Sequence, residues 1–178
     1  MGKAMKAHNE TSEPWKVTIV DTGLQTMTGG RLKAVEKYIN GTFMLTYGDG
    51  VADVNITELL EFHKASGKKA TLTAVQPGGR FGVLDIGADG KINTFAEKKQ
   101  EHGGWINGGF MVFEPNIFNY IADSETTLER EPLEKLSAEG ELVAYRHDGF
   151  WQCMDTLRDK NYLENLWSKG NAPWKVWE

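Results

Sequence analysis

Apolar runs alternate with amphipathic stretches along the first part of the chain, and this pattern predicts strands alternating with helices. Apolar runs rich in β-branched or aromatic residues predict buried strands at residues 15–20, 42–47 and 70–75. A helix is predicted between the first two runs, where Leu32, Val35 and Ile39 form one apolar stripe. Another is predicted between the last two, because Asn55 and Glu58 have the spacing of a capping box. This alternation favours an α/β domain with a parallel sheet and helices on its faces.

The remainder of the chain mixes shorter elements. A glycine-rich turn between two apolar stretches predicts a hairpin, and a strand is predicted over residues 105–113. Asn107, Gly108 and Gly109 interrupt that strand, and a β-bulge and close approach to a hydroxyl-rich ligand both explain them. A last helix is predicted with Thr156 as its N-cap and Asp159 completing an acidic capping box. The other predicted elements are helices from about Pro115 and over 128–138, and strands over 141–147 and 150–154.

Composition narrows the class of protein. The chain has 178 residues, which fits one domain, and its 11% aromatic content argues against disorder. Its net charge of −5 argues against a broad nucleic-acid surface. The single cysteine, Cys153, excludes an intrachain disulfide and a cysteine-based zinc site. No apolar run approaches the roughly 20 residues that span a bilayer, and the polar start lacks a signal peptide's apolar centre. A cytoplasmic protein is therefore expected.

Two aspartates occupy matched positions just after apolar runs. Asp49 follows the run that ends at Tyr47, and Asp155 follows the run that ends at Met154. Ligands of open parallel sheets collect beyond the carboxyl ends of the strands, and Mg²⁺ takes one or two carboxylates together with phosphate oxygens. A bare Gly-Asp-Gly turn and a helix entrance explain each aspartate separately. The pair together points to a metal site.

Other candidate residues carry weaker signals. Lys98, beside Glu97 at the end of a predicted strand, suits a phosphate as a point charge, although a solvated charge run explains it too. Gly29, Gly30 and Arg31 open a helix, where free N–H groups receive anions. The spacing of a Walker A loop or a dinucleotide fingerprint is absent, as are a metalloprotease motif and a serine nucleophile elbow.

Taken in order, these segments resemble one family. The matching segments are EPWKVTIVDTG, MTGGRLKAV, TYGDGVADVNI, FHKASGKKATLTAV, GRFGVLDI, FAEK, INGGFMVF, EPL, GELVAYRHDGFWQCMDTLRDK and APWKVWE. From about Glu13 onward the chain resembles the glucose-1-phosphate cytidylyltransferases, which join CTP and glucose 1-phosphate into CDP-glucose and diphosphate for O-antigen dideoxysugars. The resemblance implies a Rossmann-like, mixed but mostly parallel sheet with flanking helices, the nucleotide-diphospho-sugar transferase fold.

The resemblance also implies roles for individual residues. Asp49 and Asp155 match the family's magnesium-binding aspartates, and Lys98 matches the lysine that holds the sugar phosphate. These three positions are the expected catalytic residues, with Mg²⁺ as cofactor. The positions that match substrate-binding residues are Gly29, Gly30 and Arg31 near the nucleotide, Tyr47 and Gly48 beside the metal, and Glu97, Asn107 and Gly108 on the sugar. One small departure is Lys99, where many relatives have proline.

A larger departure concerns the family's opening segment. The resemblance implies a glycine-rich G-G-x-G-T-R-L loop and a strand-helix unit before the segments matched here. A single incomplete domain over 1–178 is therefore expected, with a flexible start over 1–12 and an aromatic tail over 171–178. Expected partners are CTP and glucose 1-phosphate, with no nucleic acid or membrane, and a homo-oligomer in the full-length enzyme. The open alternatives are a non-catalytic sugar-phosphate-binding or assembly module, another nucleotide base, and an inactive remnant.

Overall fold

A computed structural model of the chain describes residues 15–77, 82–86, 92–97 and 104–177, with the backbone alone in the two short ranges. Its strands are β1 Phe43–Thr46, β2 Gly50–Ala52, β3 Ala70–Val75, β4 Gly82–Ile86, β5 Ile92–Glu97, β6 Ile106–Phe113, β7 Leu142–His147 and β8 Trp151–Cys153. Its α-helices are α1 Thr28–Ala34, α2 Ile56–Ser66, α3 Glu131–Ala138 and α4 Leu157–Ser168. Short 3₁₀ helices cover Glu36–Tyr38 and Pro115–Tyr120.

The main sheet has the strand order β1-β6-β3-β7. Strand β6 runs antiparallel to both of its neighbours, whereas β3 and β7 are parallel, with Ala70 opposite Leu142. Two further pairs lie outside this sheet: the predicted hairpin, formed by β4 and β5, and an antiparallel ribbon formed by β2 and β8. The α/β class with a mixed sheet and flanking helices is therefore confirmed, although only one of the described pairs in the main sheet is parallel.

One apolar cluster holds the main sheet to its helices. Met111 and Phe113 of β6 are fully buried, and they meet Ile117 from the 3₁₀ helix and Leu136 from α3. Each such side chain contributes about 1.5–3 kcal/mol through removal from water. Phe113 is the largest of the fully buried side chains that the structure describes, and its truncation to alanine is expected to cost about 3–5 kcal/mol. This core fixes β6, the strand that carries the Asn-Gly-Gly interruption.

Helix ends form as the sequence indicates. The Asn55 side chain accepts hydrogen bonds from the backbone N–H groups of Thr57 and Glu58 and so caps α2. The Thr156 hydroxyl accepts from the Asp159 backbone N–H and so caps α4, and the Asp159 carboxylate accepts from the Thr156 backbone N–H, which completes the predicted capping box. Because satisfied N–H groups fix the start of α4, the residue just before the cap, Asp155, has a defined place.

The apolar segment at residues 15–20 does not form the predicted strand. It is irregular, and Trp15, Val17 and Ile19 are exposed at 76%, 73% and 69%. A strand exists only through a ladder with a neighbour, and no described strand pairs with this segment, so its β-branched pattern is not sufficient. Two helices also differ in extent: the segment from Pro115 is a 3₁₀ helix, and α3 begins at Glu131, not Leu128.

Candidate active site

The ribbon of β2 and β8 brings the two candidate metal-binding aspartates to one end. Gly50 lies opposite Cys153 in the register, so Asp49 enters the ribbon where Asp155 leaves it. The Met154 N–H donates to the Asp49 carbonyl at 2.9 Å, which extends the ladder by one step. The aspartates meet through this antiparallel pairing, whereas the sequence had suggested the carboxyl ends of parallel strands. Both side chains are exposed, so both carboxylates are accessible to a ligand.

A cavity of about 350 Å³ opens beside the two aspartates. Among its lining residues are Tyr47, Asp49, Asn107, Gly108 and Asp155, which sequence analysis had singled out. Gly50, Pro77, Ile106, Trp151 and Cys153 complete the lining. The cavity thus combines carboxylates at one side with an aromatic and aliphatic wall, a combination suited to a small ligand that carries both charge and a ring.

The Asn-Gly-Gly interruption of β6 is a β-bulge. The register between β3 and β6 shifts between Leu72 and Ala74. The Asn107 Oδ1 accepts a hydrogen bond from the Gly109 N–H at 2.9 Å, and Gly109 has a φ of +81°, a conformation that favours glycine. A Cβ atom at Gly109 would lie 2.7 Å from the Tyr47 ring. The bulge therefore requires this glycine, and it turns Asn107 and Gly108 toward the cavity.

An indole hydrogen bond attaches the ribbon to the bulge. Trp151 of β8 donates through its Nε1–H to the Gly108 carbonyl at 2.7 Å. A Cβ atom at Gly108 would lie 2.8 Å from Val75 Cγ1, so the neighbouring strand also presses on this position. The aspartates of the ribbon and the bulge of β6 consequently face the same cavity as one packed unit.

Glu129 connects the cavity wall to α1, and sequence analysis did not identify it. The Tyr47 hydroxyl donates to one carboxylate oxygen of Glu129, and the Thr28 hydroxyl donates to the other at 2.6 Å. Burial, followed by the hydrogen bond to Glu129, raises the pKa of the Tyr47 phenol. The phenol therefore stays neutral and its ring is held at the cavity wall. Glu129 lies in a mixed-charge stretch that carries no local signal of this contact.

Gly29, Gly30 and Arg31 do not line the cavity. The two glycines are buried against the segment around residues 124–128, and a Cβ atom at Gly30 would lie 2.6 Å from the backbone of Ser124. Arg31 donates to the Thr22 hydroxyl at 2.6 Å and to the Leu24 carbonyl at 3.2 Å. These contacts give the three residues packing and loop-holding functions in the chain. Their predicted nucleotide contacts stay a prediction.

The described structure does not test the substrate contacts predicted for Glu97, Lys98 and Gly48. Lys98 lies outside the described residues, and Glu97 is known only as the last residue of β5, paired with Gly82. Gly48 is exposed in the turn between Tyr47 and Asp49. Their predicted sugar and phosphate contacts therefore stay predictions.

The donor atoms of the site fit Mg²⁺ in their chemistry. Asp49 and Asp155 supply hard carboxylate oxygens at the edge of one cavity, and Cys153 donates through its thiol to Asp155 Oδ2 at 3.2 Å. Among the described residues, no group of three or more acidic, histidine or cysteine side chains could hold a metal. A pair of carboxylates suits Mg²⁺, which commonly completes its shell with water and substrate phosphate.

Comparison with known proteins gives one consistent family. The nucleotidyl transferase family matches residues 3–159. The glucose-1-phosphate cytidylyltransferase of Salmonella typhimurium is 57% identical over 176 residues, an alignment that covers 98% of this chain and 68% of that protein. The mannose-1-phosphate guanyltransferase 2 of Candida glabrata is 34% identical over 144 residues, which cover 76% of this chain and 39% of that protein.

Solved structures agree in fold. The structure of HddC from Yersinia pseudotuberculosis superposes with a TM-score of 0.57 at 23% identity, covering 78% of this chain and 61% of that one. The chain spans about two thirds of the length of these relatives, at 68% of the Salmonella protein and 61% of HddC. No helix among the described residues is long and apolar enough to cross a membrane. The extent of the family match and the identity to the Salmonella enzyme together show that the chain belongs to the nucleotidyl transferase family, alongside the glucose-1-phosphate cytidylyltransferases.

Proposed function

We propose that the chain carries the metal and sugar-phosphate site of a glucose-1-phosphate cytidylyltransferase, which forms CDP-glucose and diphosphate from CTP and glucose 1-phosphate. The observation that carries this proposal is the single cavity lined by Tyr47, Asp49, Asn107, Gly108 and Asp155. Identity of 57% to the Salmonella cytidylyltransferase supports the choice of substrates. A role in supplying O-antigen dideoxysugars, a cytoplasmic location and a homo-oligomeric full-length enzyme belong to the same proposal.

The proposed reaction is a nucleotidyl transfer without a covalent enzyme intermediate. A phosphate oxygen of glucose 1-phosphate attacks the α-phosphorus of CTP and forms a new P–O bond. The bond between the α-phosphorus and the diphosphate oxygen breaks, and diphosphate leaves with the electron pair. Positioning and charge neutralisation contribute most to such transfers. Mg²⁺, when bound, supplies positive charge at the transferred phosphoryl group.

The residues of the chain have separate parts in this proposal. Asp49 and Asp155 hold the metal, and Lys98 holds the sugar phosphate as a point charge. Asn107 and the Gly108 backbone face the sugar hydroxyl groups, and the neutral Tyr47 ring closes the wall beside them. Gly29, Gly30, Arg31, Gly48 and Glu97 retain their proposed substrate contacts from the family resemblance.

Release of diphosphate tests the proposal directly. Purified chain is incubated with CTP, glucose 1-phosphate and Mg²⁺, and diphosphate is measured with a coupled assay. Asp49→Asn and Asp155→Asn are each expected to lower the rate by at least about a hundredfold, because each removes one negative ligand from the metal. Glu61→Gln, which neutralises an exposed carboxylate on α2, serves as the matched control and is expected to leave the rate unchanged. Absence of turnover by the unsubstituted chain would show that the chain is not itself an active enzyme.

Binding measurements separate the alternatives. Titration calorimetry with glucose 1-phosphate detects the sugar-phosphate site in the absence of turnover, and saturable binding without catalysis supports a non-catalytic sugar-phosphate-binding module. Replacement of CTP by GTP or dTTP tests the base, since one relative is a guanyltransferase. A rate with GTP or dTTP equal to that with CTP contradicts the cytidine assignment.

A further inference from the structure

His147 contacts the residues that flank both strands of the β2–β8 ribbon. It is the last residue of β7 and lies opposite Val75 of β3, so the main sheet fixes its backbone. Its Nε2 lies 2.9 Å from Asp53 Oδ1, just beyond β2, and 3.2 Å from the Phe150 carbonyl, just before β8. The imidazole thus links the main sheet to both strands of the ribbon at one end.

The Asp53 carboxylate depends on this imidazole. Asp53 Oδ1 is buried and forms no hydrogen bond of good geometry with the described residues. The nearby imidazole, with His147 Nε2 at 2.9 Å, is therefore the polar group that offsets the loss of water at this oxygen. An unpaired buried carboxylate oxygen is costly, which makes the position of Asp53 sensitive to the position of His147. Gly149 closes the pair from one side, because a Cβ atom there would lie 2.4 Å from Asp53 Oδ1 and 2.6 Å from His147 Cε1.

The contact of His147 lies at the opposite end of the ribbon from the metal-binding aspartates. Ala52 pairs with Trp151 at the His147 end, and Gly50 pairs with Cys153 at the end that carries Asp49 and Asp155. Strands rise about 3.3 Å per residue, so the two ends of this short ribbon are less than about 10 Å apart. A shift at the His147 end is therefore expected to move both carboxylates. The Trp151 indole bond to Gly108 is a second attachment at that same end of the ribbon.

We infer that His147 and Asp53 form a positioning pair that docks the ribbon on the main sheet and so sets the position of the Asp49 and Asp155 carboxylates at the cavity. This inference rests on the proposed metal site, because it assigns His147 an effect on that site without any contact to the metal. His147 acts through the ribbon and touches no substrate in this assignment.

Hydrogen exchange tests the docking without any metal. His147→Phe keeps a ring but removes both nitrogens, and Gly149→Ala pushes the pair apart while leaving both partners in place. Both variants are expected to speed exchange of the Asp53 and Met154 amides by about tenfold or more, because those amides bond within or beside the ribbon. The Val112 amide in the main sheet is expected to keep its rate.

A buried histidine elsewhere provides the matched control. His63 on α2 lies 2.8 Å from the Thr71 hydroxyl and 3.2 Å from Glu114, and His63→Phe is expected to lower overall stability without selective change in the ribbon amides. Unchanged exchange of the Met154 amide in His147→Phe would overturn the inference, because it shows that His147 does not hold the ribbon. Equal acceleration of the Met154 and Val112 amides would also overturn it, because it shows a general loss of stability.

Metal affinity provides the second measurement. Mn²⁺ alone is titrated into the full chain, and paramagnetic broadening of the Met154 signal reports occupancy. The His147→Phe variant is expected to bind Mn²⁺ about 10–100-fold more weakly, the range seen when groups that orient metal ligands are removed. Equal affinity in the variant and the unsubstituted chain overturns the inference. Absence of Mn²⁺ binding by the unsubstituted chain contradicts the proposed metal site instead, and the exchange data then decide whether His147 docks the ribbon.

Discussion

The hydroxyl of Tyr47 donates a hydrogen bond to the carboxylate of Glu129, which lies 82 residues further along the chain. Tyr47 lines the cavity beside Asp49, and the other Glu129 oxygen accepts from Thr28 at the start of α1. One carboxylate thus joins the cavity wall to the helix that carries Gly29 and Gly30. This link gives the cavity wall a fixed shape, since the ring of Tyr47 also presses on Gly109.

Replacement of this carboxylate is expected to make the Tyr47 phenol more acidic. Burial raises the phenol pKa most, and the hydrogen bond and negative charge of Glu129 raise it further. Glu129→Gln removes the charge, so the pKa should fall toward the ordinary value of about 10 while burial keeps it above that value. Absorbance of tyrosinate across an alkaline titration measures this change, with Tyr47→Phe identifying which phenol titrates.

The same raised pKa predicts a loss of stability in alkali. Because the unfolded phenol ionises near pH 10 and the folded phenol does so only at higher pH, the contribution of Tyr47 is complete below about pH 10 and is lost above it. The free energy of unfolding should therefore fall more steeply above pH 10 in the unsubstituted chain than in Tyr47→Phe. Identical slopes for the two proteins would contradict the assigned shift.

An added methyl group at Gly30 is expected to destabilise the fold. In Gly30→Ala the new Cβ atom would lie 2.6 Å from Ser124 Cα and from the Ser124 carbonyl oxygen. Backbone must move to accept it, and we expect a loss of about 1–3 kcal/mol in the free energy of unfolding by urea. Gly41→Ala is the matched control, because a Cβ atom there meets nothing within 4 Å. Equal stability of the two variants would argue against tight packing at Gly30.

Loss of the Trp151 indole N–H is expected to lower the free energy of unfolding, because it removes a hydrogen bond to a buried residue. Trp151→Phe leaves the Gly108 carbonyl, in a buried residue, without the donor that lies 2.7 Å away. An unsatisfied buried acceptor costs about 1–3 kcal/mol, which urea unfolding measures. The exposed Trp177 provides the control, since Trp177→Phe should change stability by less than about 0.5 kcal/mol. A cost below that level for Trp151→Phe would show that the ribbon does not depend on this bond.

Removal of the α4 cap is expected to weaken the helix that follows Asp155. Thr156→Ala loses the hydroxyl that accepts from the Asp159 N–H and donates to its carboxylate. We expect a loss of about 1 kcal/mol, a usual value for an N-cap threonine, measured by urea unfolding. Thr57→Ala, in the exposed first turn of α2, controls for the residue change, since Asn55 supplies that cap. A cost equal to that of Thr57→Ala would show that the box contributes little.

Local chemistry made much of the fold predictable. The Asn55 and Thr156 caps follow from side chains that bond to N–H groups two or three residues away, so a short window of sequence contains both partners. The bulge at Asn107 also has a local cause, because Asn107 bonds to the Gly109 N–H. The strand expected at residues 15–20 failed for the opposite reason, since a strand needs a partner that its own sequence does not contain.

The candidate site divides in the same way. By itself the sequence determined that Asp49 and Asp155 follow apolar runs, that Asn107 and two glycines interrupt a strand, and that the chain resembles the cytidylyltransferases. Only the tertiary structure decided that β2 pairs with β8, so that both aspartates share one cavity. It also decided that Tyr47 contacts Glu129 and that Asp53 contacts His147. These contacts join residues far apart in sequence, and a local pattern records what a side chain can bond to but not which partner folding brings within reach.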